Sequence, residues 1–275
     1  MSSAPAPAKI NLALVVGPLR HDGKHEVVTV MQRIDLHDVV TLEPGDALSV
    51  RGFPADTIVT TALEALARAA DVVPGWHVHI EKRIPVAAGL GGGSSDAATA
   101  LLLANETLDD PLAPEELAQL AAAVGADVPF FLVDGSQLAT GDGTDLVPVD
   151  LPIGYAVVLF VPNDETKDST RSMYEAFGER RGADGFAERA GALRRALGVV
   201  AEPRDLAALP RNDLASSPFA DELLAAGAFR ADVTGAGPTI YGLFDDDADA
   251  TRASAALASR GSTFVTCPVG ALGHP

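Results

Sequence analysis

PVAAGLGGGSSDAATALLLAN, residues 85–105, runs a glycine loop straight into a helix. Gly89, Gly91, Gly92 and Gly93 lack a Cβ and take positive φ without steric penalty, so successive N–H groups can turn inward around an anion. Ser94, Ser95 and Asp96 read as the helix start, with both serines placed to cap it, and the run from Ala97 to Ala104 has high helix propensity. First-turn N–H groups and the positive end of the helix dipole then face whatever the loop encloses, and a phosphate suits them. On this reading Gly92 brings bare backbone up to the phosphate, and a branched side chain there blocks the approach. The run is not GxxxxGK[ST], because no lysine follows the glycines, nor GxGxxG, because Ser94 replaces the last glycine. From Ile84 to Thr166 the chain has neither lysine nor arginine, so any cationic side chain must come from elsewhere.

Outward from the loop, Trp76 to Arg83 alternates as a strand whose His77 and His79 lie on a solvated face. Asp56 to Ala70 carries an apolar stripe at helical spacing. Lys9 to Val16 reads as a buried strand with Lys9 and Asn11 on one face, preceded by an aperiodic Ser/Ala/Pro leader at residues 2–7. A polar turn at 17–25 leads to a second strand near Glu26 to Arg33, and Val39 to Val50 is further strand material broken by Pro44 and Gly45. After the loop helix, Pro114 to Ala123 is helical, and Asp127 then stands before a very apolar segment. Leu138 to Val149 is a hairpin around Gly141-Asp142-Gly143.

The pattern changes near Leu151-Pro152, which marks a domain boundary. Tyr155 to Val161 suits a central strand, and helices are expected around Met173, Tyr174 and Phe177, at 184–197 and at 219–226. Strand, glycine turn and strand follow between Arg230 and Phe244, then a helix at 248–259 and a strand from Thr263 to Val269.

A chain of 275 residues, 47% hydrophobic and 21% charged, has the composition of a folded globular protein with a sizeable core. Its net charge of -18 argues against nucleic acid or an anionic membrane as partner, since neither binds an acidic surface without specific help. The single cysteine, Cys267, has no intrachain disulfide partner. The first residues, MSSAPAPAKI, do not resemble a secretory leader and no apolar run reaches membrane-spanning length, so a cytoplasmic location is expected.

Five segments, PAKINL (7–12), HDGKHE (21–26), GLGGGSSDAA (89–98), GADVPFF (125–131) and TGAGPT (234–239), resemble in kind and order those of the GHMP small-molecule kinases. The resemblance implies an α+β, two-domain GHMP kinase fold. Residues 1–150 would form a ribosomal protein S5 domain 2-like, ATP-binding N-terminal domain, and 151–275 a ferredoxin-like C-terminal domain. It implies ATP-dependent phosphorylation of a small alcohol, in the branch whose acceptor is the 2-hydroxyl of a cytidine diphosphate-linked methylerythritol on the non-mevalonate route to isoprenoid precursors. Another acceptor (homoserine, mevalonate or a sugar) and a silent nucleotide-binding homologue are the alternatives.

By the same resemblance Asp127 is the catalytic base and Lys9 the catalytic lysine. The loop residues Val86, Ala87, Ala88, Gly89, Leu90, Gly91, Gly92, Gly93, Ser94 and Ser95 hold ATP, with Lys82 and Pro85 at the adenine edge. Asn11, Lys24, His25, Thr170 and Tyr174 face the cytidine-bearing substrate. Mg²⁺ is expected to be held by nucleotide oxygens and water rather than by a dedicated side-chain cluster, and the protein to be a monomer or weak homodimer. Two positions depart from the family pattern: Lys24 stands where it carries tyrosine, and Asp56-Thr57 where it usually carries Asn-Leu.

Overall fold

The computed structural model describes residues 1–53, 57–163 and 170–270, which form two compact units interleaved along the sequence. One holds Met1–Ala8, Leu36–Val86 and Gly91–Asp134; the other holds Lys9–Asp35, Ala87–Leu90 and the chain from Gly135 onward. These units are a partition by contact and differ in kind from a division of the sequence at residue 150.

Two strands are longer than their sequence periods suggest: β1 spans Ser2–Leu19 and β2 spans His25–Pro44. The residues expected to be an aperiodic leader are strand. Pro5 and Pro7 are two apart, so both missing N–H groups fall on one side and the other side remains able to pair. Ser3 Oγ sits 3.0 Å from Thr41 Oγ1. The gap expected between Arg33 and Val39 closes because its polar residues find partners: Asp35 N donates to Cys267 O at 2.9 Å, and Asp38 is fully buried with three donors on its carboxylate. Pro44 does end β2, and only the short β3 (Ser49–Arg51) follows.

In the first unit, α1 (Ile58–Ala69) buries Val59, Ala62, Leu63, Leu66 and Ala67, the stripe that its spacing predicts. Asp56, at the expected helix start, lies outside the described residues. In β4 (Trp76–Glu81), Trp76, Val78 and Ile80 are buried while His77, His79 and Glu81 are exposed. β4 pairs antiparallel with the second half of β2, from Val39↔Glu81 to Pro44↔Trp76, and parallel with β3. The loop helix, α2 (Gly92–Asn105), is buried on nearly every face, as the Ala/Leu run from Ala97 to Ala104 suits, and its Ser95, Asp96 and Thr99 are buried with it. It packs on α1, as does α3 (Pro114–Val124), whose Glu116 carboxylate accepts the N–H of Ala113 at 3.1 Å.

In the second unit, the hairpin of β5 (Ser136–Thr140) and β6 (Asp145–Val149) turns at Gly141-Asp142-Gly143, and β5 pairs with the first half of β2 through Thr29↔Ala139. The remaining elements are β7 (Ala156–Pro162), α4 (Thr170–Glu179), α5 (Phe186–Leu197), α6 (Pro218–Ala225), β8 (Arg230–Val233), β9 (Ile240–Phe244), α7 (Asp247–Leu257) and β10 (Gly261–Thr266). Its four-stranded antiparallel sheet has the order β10-β7-β9-β8. Counted along the chain this is fourth, first, third, second, the order of a ferredoxin-like sheet, with the apolar run at 155–161 on an interior strand. Val158, Phe160, Ile240 and Phe244 form a core with Leu223 of α6 and Leu257 of α7. No helix among the described residues is long and apolar enough to cross a membrane.

Candidate active site

Lys9 and Asn11 lie on one face of β1 as the two-residue period predicts, but Lys9 is not a solvated strand-end lysine: only 3% of it is exposed. Its Nζ donates to Asn11 Oδ1 at 2.6 Å. Asn11 is held at its backbone N–H and at both side-chain polar atoms. Its N–H donates to Thr234 Oγ1 at 2.9 Å and its Nδ2 to Thr29 Oγ1 at 2.8 Å, while Thr29 passes its own proton to Ala13 O at 2.7 Å. The amide therefore has one orientation, carbonyl toward the ammonium. Gly235, at φ 57°, completes this pocket: a Cβ there would sit 3.3 Å from Asn11 Oδ1 and 3.6 Å from Lys9 Nζ. Asn212 locks the turn by donating to Val233 O at 2.9 Å and Gly235 O at 2.7 Å. Thr234, Gly235 and Asn212 were not singled out as site residues from the sequence, although the glycine spacing of TGAGPT was the signal for the first two.

Helix α2 starts two residues before the expected Ser94. Gly91 takes left-handed φ 73° as N-cap, so the helix begins at Gly92 and no side chain caps it. Ser94 and Ser95 thus sit inside the first turn, where Ser95 N donates back to Gly91 O at 2.9 Å. The leading N–H groups are left for an outside acceptor, which is what anion binding requires of a helix start. Ser95 Oγ is fully buried without a hydrogen-bond partner, a second observation that fits a polar occupant. Gly89 (φ 81°) is forced to be glycine, because a Cβ would lie 2.8 Å from Thr234 O and 2.9 Å from Gly237 O. Lys9 N, moreover, donates to Leu90 O at 2.9 Å.

A Cβ on Gly92 would lie 3.0 Å from Ile84 Cγ2 and 3.4 Å from Lys82 Nζ, so a branched side chain there would also press on the Lys82 corner. Gly89, whose Cβ would meet only backbone carbonyls, gives a second test of the loop. We expect Gly89→Ala, with strain of about 1–3 kcal/mol relieved by loop displacement, to weaken ATP binding roughly tenfold or more. Gly135→Ala has the same sign of φ (72°) but nothing within 4 Å, and should leave affinity unchanged. Titration calorimetry of both variants, with a thermal melt to confirm folding, decides the point; equal ATP affinity in the two would remove Gly89 from the loop's function.

Lys82, expected at the adenine edge, is engaged below the first turn of α2. Its ammonium donates to Asp38 Oδ2 at 2.5 Å and Asp96 Oδ2 at 2.7 Å, and its side chain is 15% exposed. Asp38 Oδ1 also accepts the N–H groups of Arg83 at 2.5 Å and Ile84 at 2.8 Å, which fixes the corner where β4 leaves for the loop. Burial disfavours the Lys82 ammonium, but its hydrogen bonds to the two aspartates outweigh this and raise its pKa. Burial pushes the Asp96 carboxyl up to about 7 with Lys82 pulling the other way. Pro85 and Val86 continue from this corner, Val86 exposed, and Ala87 carries a positive φ of 57°.

Among the acceptor-side residues, His25 and Tyr174 come together as stacked rings, 5.2 Å between centroids and 26° apart, with Phe177 edge-on to the imidazole at 5.8 Å. His25 Nδ1 is 2.7 Å from Gly17 O; the carbonyl can only accept, so the Nδ1 proton is donated and Nε2 of the neutral ring is left as an acceptor. Tyr174 packs on a cluster of Leu14, Val16, Val27, Phe177 and Leu214. Thr170, the first residue of α4, is exposed and one turn before Tyr174. The Lys24 ammonium is bound to Asp142 at 2.6 Å, on the turn of the β5–β6 hairpin. Asp142 also accepts from Thr144; burial opposes its charge, yet these bonds hold it at about 2.

Asp127 is half-buried between Gly125, where α3 ends, and the 3-10 turn Pro129–Leu132, whose Phe130 and Phe131 rings meet edge-on at 5.0 Å. Val128 N donates to Gly125 O at 3.1 Å, so the carboxylate rides on a closed turn. Among the described residues no group of three His, Cys, Asp or Glu side chains could hold a metal ion.

Residues 57–135 match the family model for the GHMP kinases N terminal domain, and residues 207–263 match that for the GHMP kinases C terminal. The chain is 36% identical over 271 residues to 4-diphosphocytidyl-2-C-methyl-D-erythritol kinase of Geobacter metallireducens, covering 94% of this chain and 95% of that one. A crystal structure of 4-(cytidine 5'-diphospho)-2C-methyl-D-erythritol kinase is similar with a TM-score of 0.79 and 30% identity, over 98% of this chain and 100% of that one. Mevalonate kinase, at a TM-score of 0.76 and 14% identity over 98% and 100% of the two chains, shares the fold.

Proposed function

The chain belongs to the GHMP kinase family, and we infer that it phosphorylates 4-diphosphocytidyl-2-C-methyl-D-erythritol, transferring the γ-phosphoryl group of ATP to the 2-hydroxyl in the non-mevalonate route to isoprenoid precursors. The observation that carries this reading is the near-full-length similarity to kinases of that one compound.

Phosphoryl transfer asks a protein mainly for positioning and charge stabilisation. In this proposal Gly89 to Ser95 bind the phosphates through backbone N–H groups and the start of α2, while Lys82, Pro85, Val86, Ala87, Ala88 and Leu90 border the nucleoside. Asp127 takes the hydroxyl proton as the oxygen attacks phosphorus and the bond to the β-phosphate oxygen breaks. Lys9, oriented by Asn11, stabilises the charge that develops. His25 offers Nε2 as an acceptor to the exocyclic amine of cytosine, and Tyr174 and Thr170 flank the base. Lys24, where the family carries an aromatic, would face the substrate from a turn that its ion pair with Asp142 ties to the hairpin. Mg²⁺ would neutralise phosphate charge; nucleotide oxygens and water would hold it. We place the nucleotide-binding domain at 1–150 and the C-terminal domain at 151–275, and the protein in the cytoplasm as a monomer or weak homodimer.

An acceptor panel tests the substrate. With ATP consumption as readout and diphosphocytidyl-methylerythritol, homoserine, mevalonate and galactose offered separately, turnover should be confined to the cytidyl compound. Faster turnover of any other acceptor would overturn the assignment.

A further inference from the structure

One ammonium, that of Lys82, faces two buried carboxylates, Asp38 with 0% and Asp96 with 2% of its side chain exposed. With all three ionised the cluster carries a net charge of about −1, and solvent is not there to screen it. The two carboxylates are not equivalent. Asp38 has all its donors: Lys82, Arg83 N and Ile84 N. Asp96 has only Lys82 on Oδ2, and its Oδ1 is buried with no hydrogen-bond partner. A carboxylate with an orphaned buried oxygen is the member on which a proton is least costly. The ammonium between them lies 3.4 Å from where a Cβ of Gly92 would be, so this charge sits against the first residue of α2.

Resting on the function inferred above, we propose that Asp96 is a positioning residue for the nucleotide site. It acts through Lys82, and its protonation decides whether the cluster against the start of α2 carries a net negative charge or none. A neutral cluster leaves the helix start electropositive for the triphosphate; an ionised one opposes the same anion across low-dielectric protein.

The surroundings leave Asp96 little else to titrate against. α1 carries Glu64 and Arg68, which are exposed and face each other at 3.9 Å. His77, His79 and Glu81 of β4 are on the exposed face, and the 3-10 turn Pro129–Leu132 contains no ionisable side chain. Asp38 and Lys82 are the charged groups that act on it, after burial itself. Because burial raises this carboxyl to about 7, the cluster is neutral below that pH and negative above it.

The test is the dissociation constant of MgATP for the whole protein without acceptor, between about pH 6 and pH 8, with Mg²⁺ in excess so that the nucleotide's own charge stays constant. In the wild type, affinity should fall roughly threefold to tenfold as pH rises through about 7, and binding near pH 7 should take up part of a proton, seen in calorimetry across buffers of different ionisation enthalpy. Asp96→Asn should bind with the low-pH affinity throughout and take up no proton. A wild-type affinity flat in pH, or a slope that survives in Asp96→Asn, overturns the proposal. The wild-type curve and proton count stand even if the variant does not fold. Absence of MgATP binding at every pH would instead overturn the kinase reading, so the two failures are distinct.

Discussion

Asp127→Asn should lower kcat by on the order of 10² to 10⁴ while leaving MgATP affinity near normal. The substitution keeps size and shape at a half-buried position that follows the closed turn at Gly125, so the path into the 3-10 turn Pro129–Leu132 is retained. What is lost is the capacity to take a proton from the attacking hydroxyl, which matters in the transition state and hardly in the ground state. KM for the acceptor should therefore move little. Steady-state kinetics at saturating ATP and acceptor, with calorimetric ATP binding in parallel, checks it. If kcat stays within a few-fold of wild type, Asp127 is not the base.

Lys9→Met is expected to cost roughly 10² to 10³ in kcat, the scale on which one preorganised donor to developing charge contributes. A buried ammonium is replaced by an apolar side chain of similar length, and Asn11 Oδ1, which accepts from Lys9, also has Thr234 Oγ1 within 3.4 Å, so the amide keeps a partner in the variant. Lys9→Arg should fail to restore the rate, since Gly235 closes over the ammonium tip and leaves no room for a guanidinium fork. A thermal melt and single-turnover rates on the three proteins separate the outcomes: an arginine variant with near-native turnover would show that charge alone is required there, and a methionine variant with near-native turnover would remove Lys9 from the mechanism.

Much was legible along the chain because it rests on local periodicity. The stripe of α1, the alternation of β4, the hairpin at 138–149 and the interior strand at 155–161 are each set by residues within a few positions of one another, and each is present. The glycine loop was legible for the same reason, since positive φ is a property of single residues. Strand lengths were not: the prolines of residues 2–7 and the polar stretch at 34–38 look like breaks until partners such as Thr41 and Cys267 are supplied from distant segments. The helix start was displaced because Gly91, not a serine, serves as cap.

The sequence by itself determined the family, because the motifs PAKINL, GLGGGSSDAA and GADVPFF are runs of neighbouring residues and are readable without any tertiary contact. Only the tertiary structure decided what those residues touch. The resemblance puts Lys82 at the adenine edge, and folding adds two aspartates to it, one 44 residues before it and one 14 after. Lys24 pairs with Asp142, and Asn11 is oriented by Thr234 from the far end of the chain. The physical reason is the same in each case: hydrogen bonds and ion pairs act over about 3 Å, and no sequence period records which distant atoms folding brings within that range.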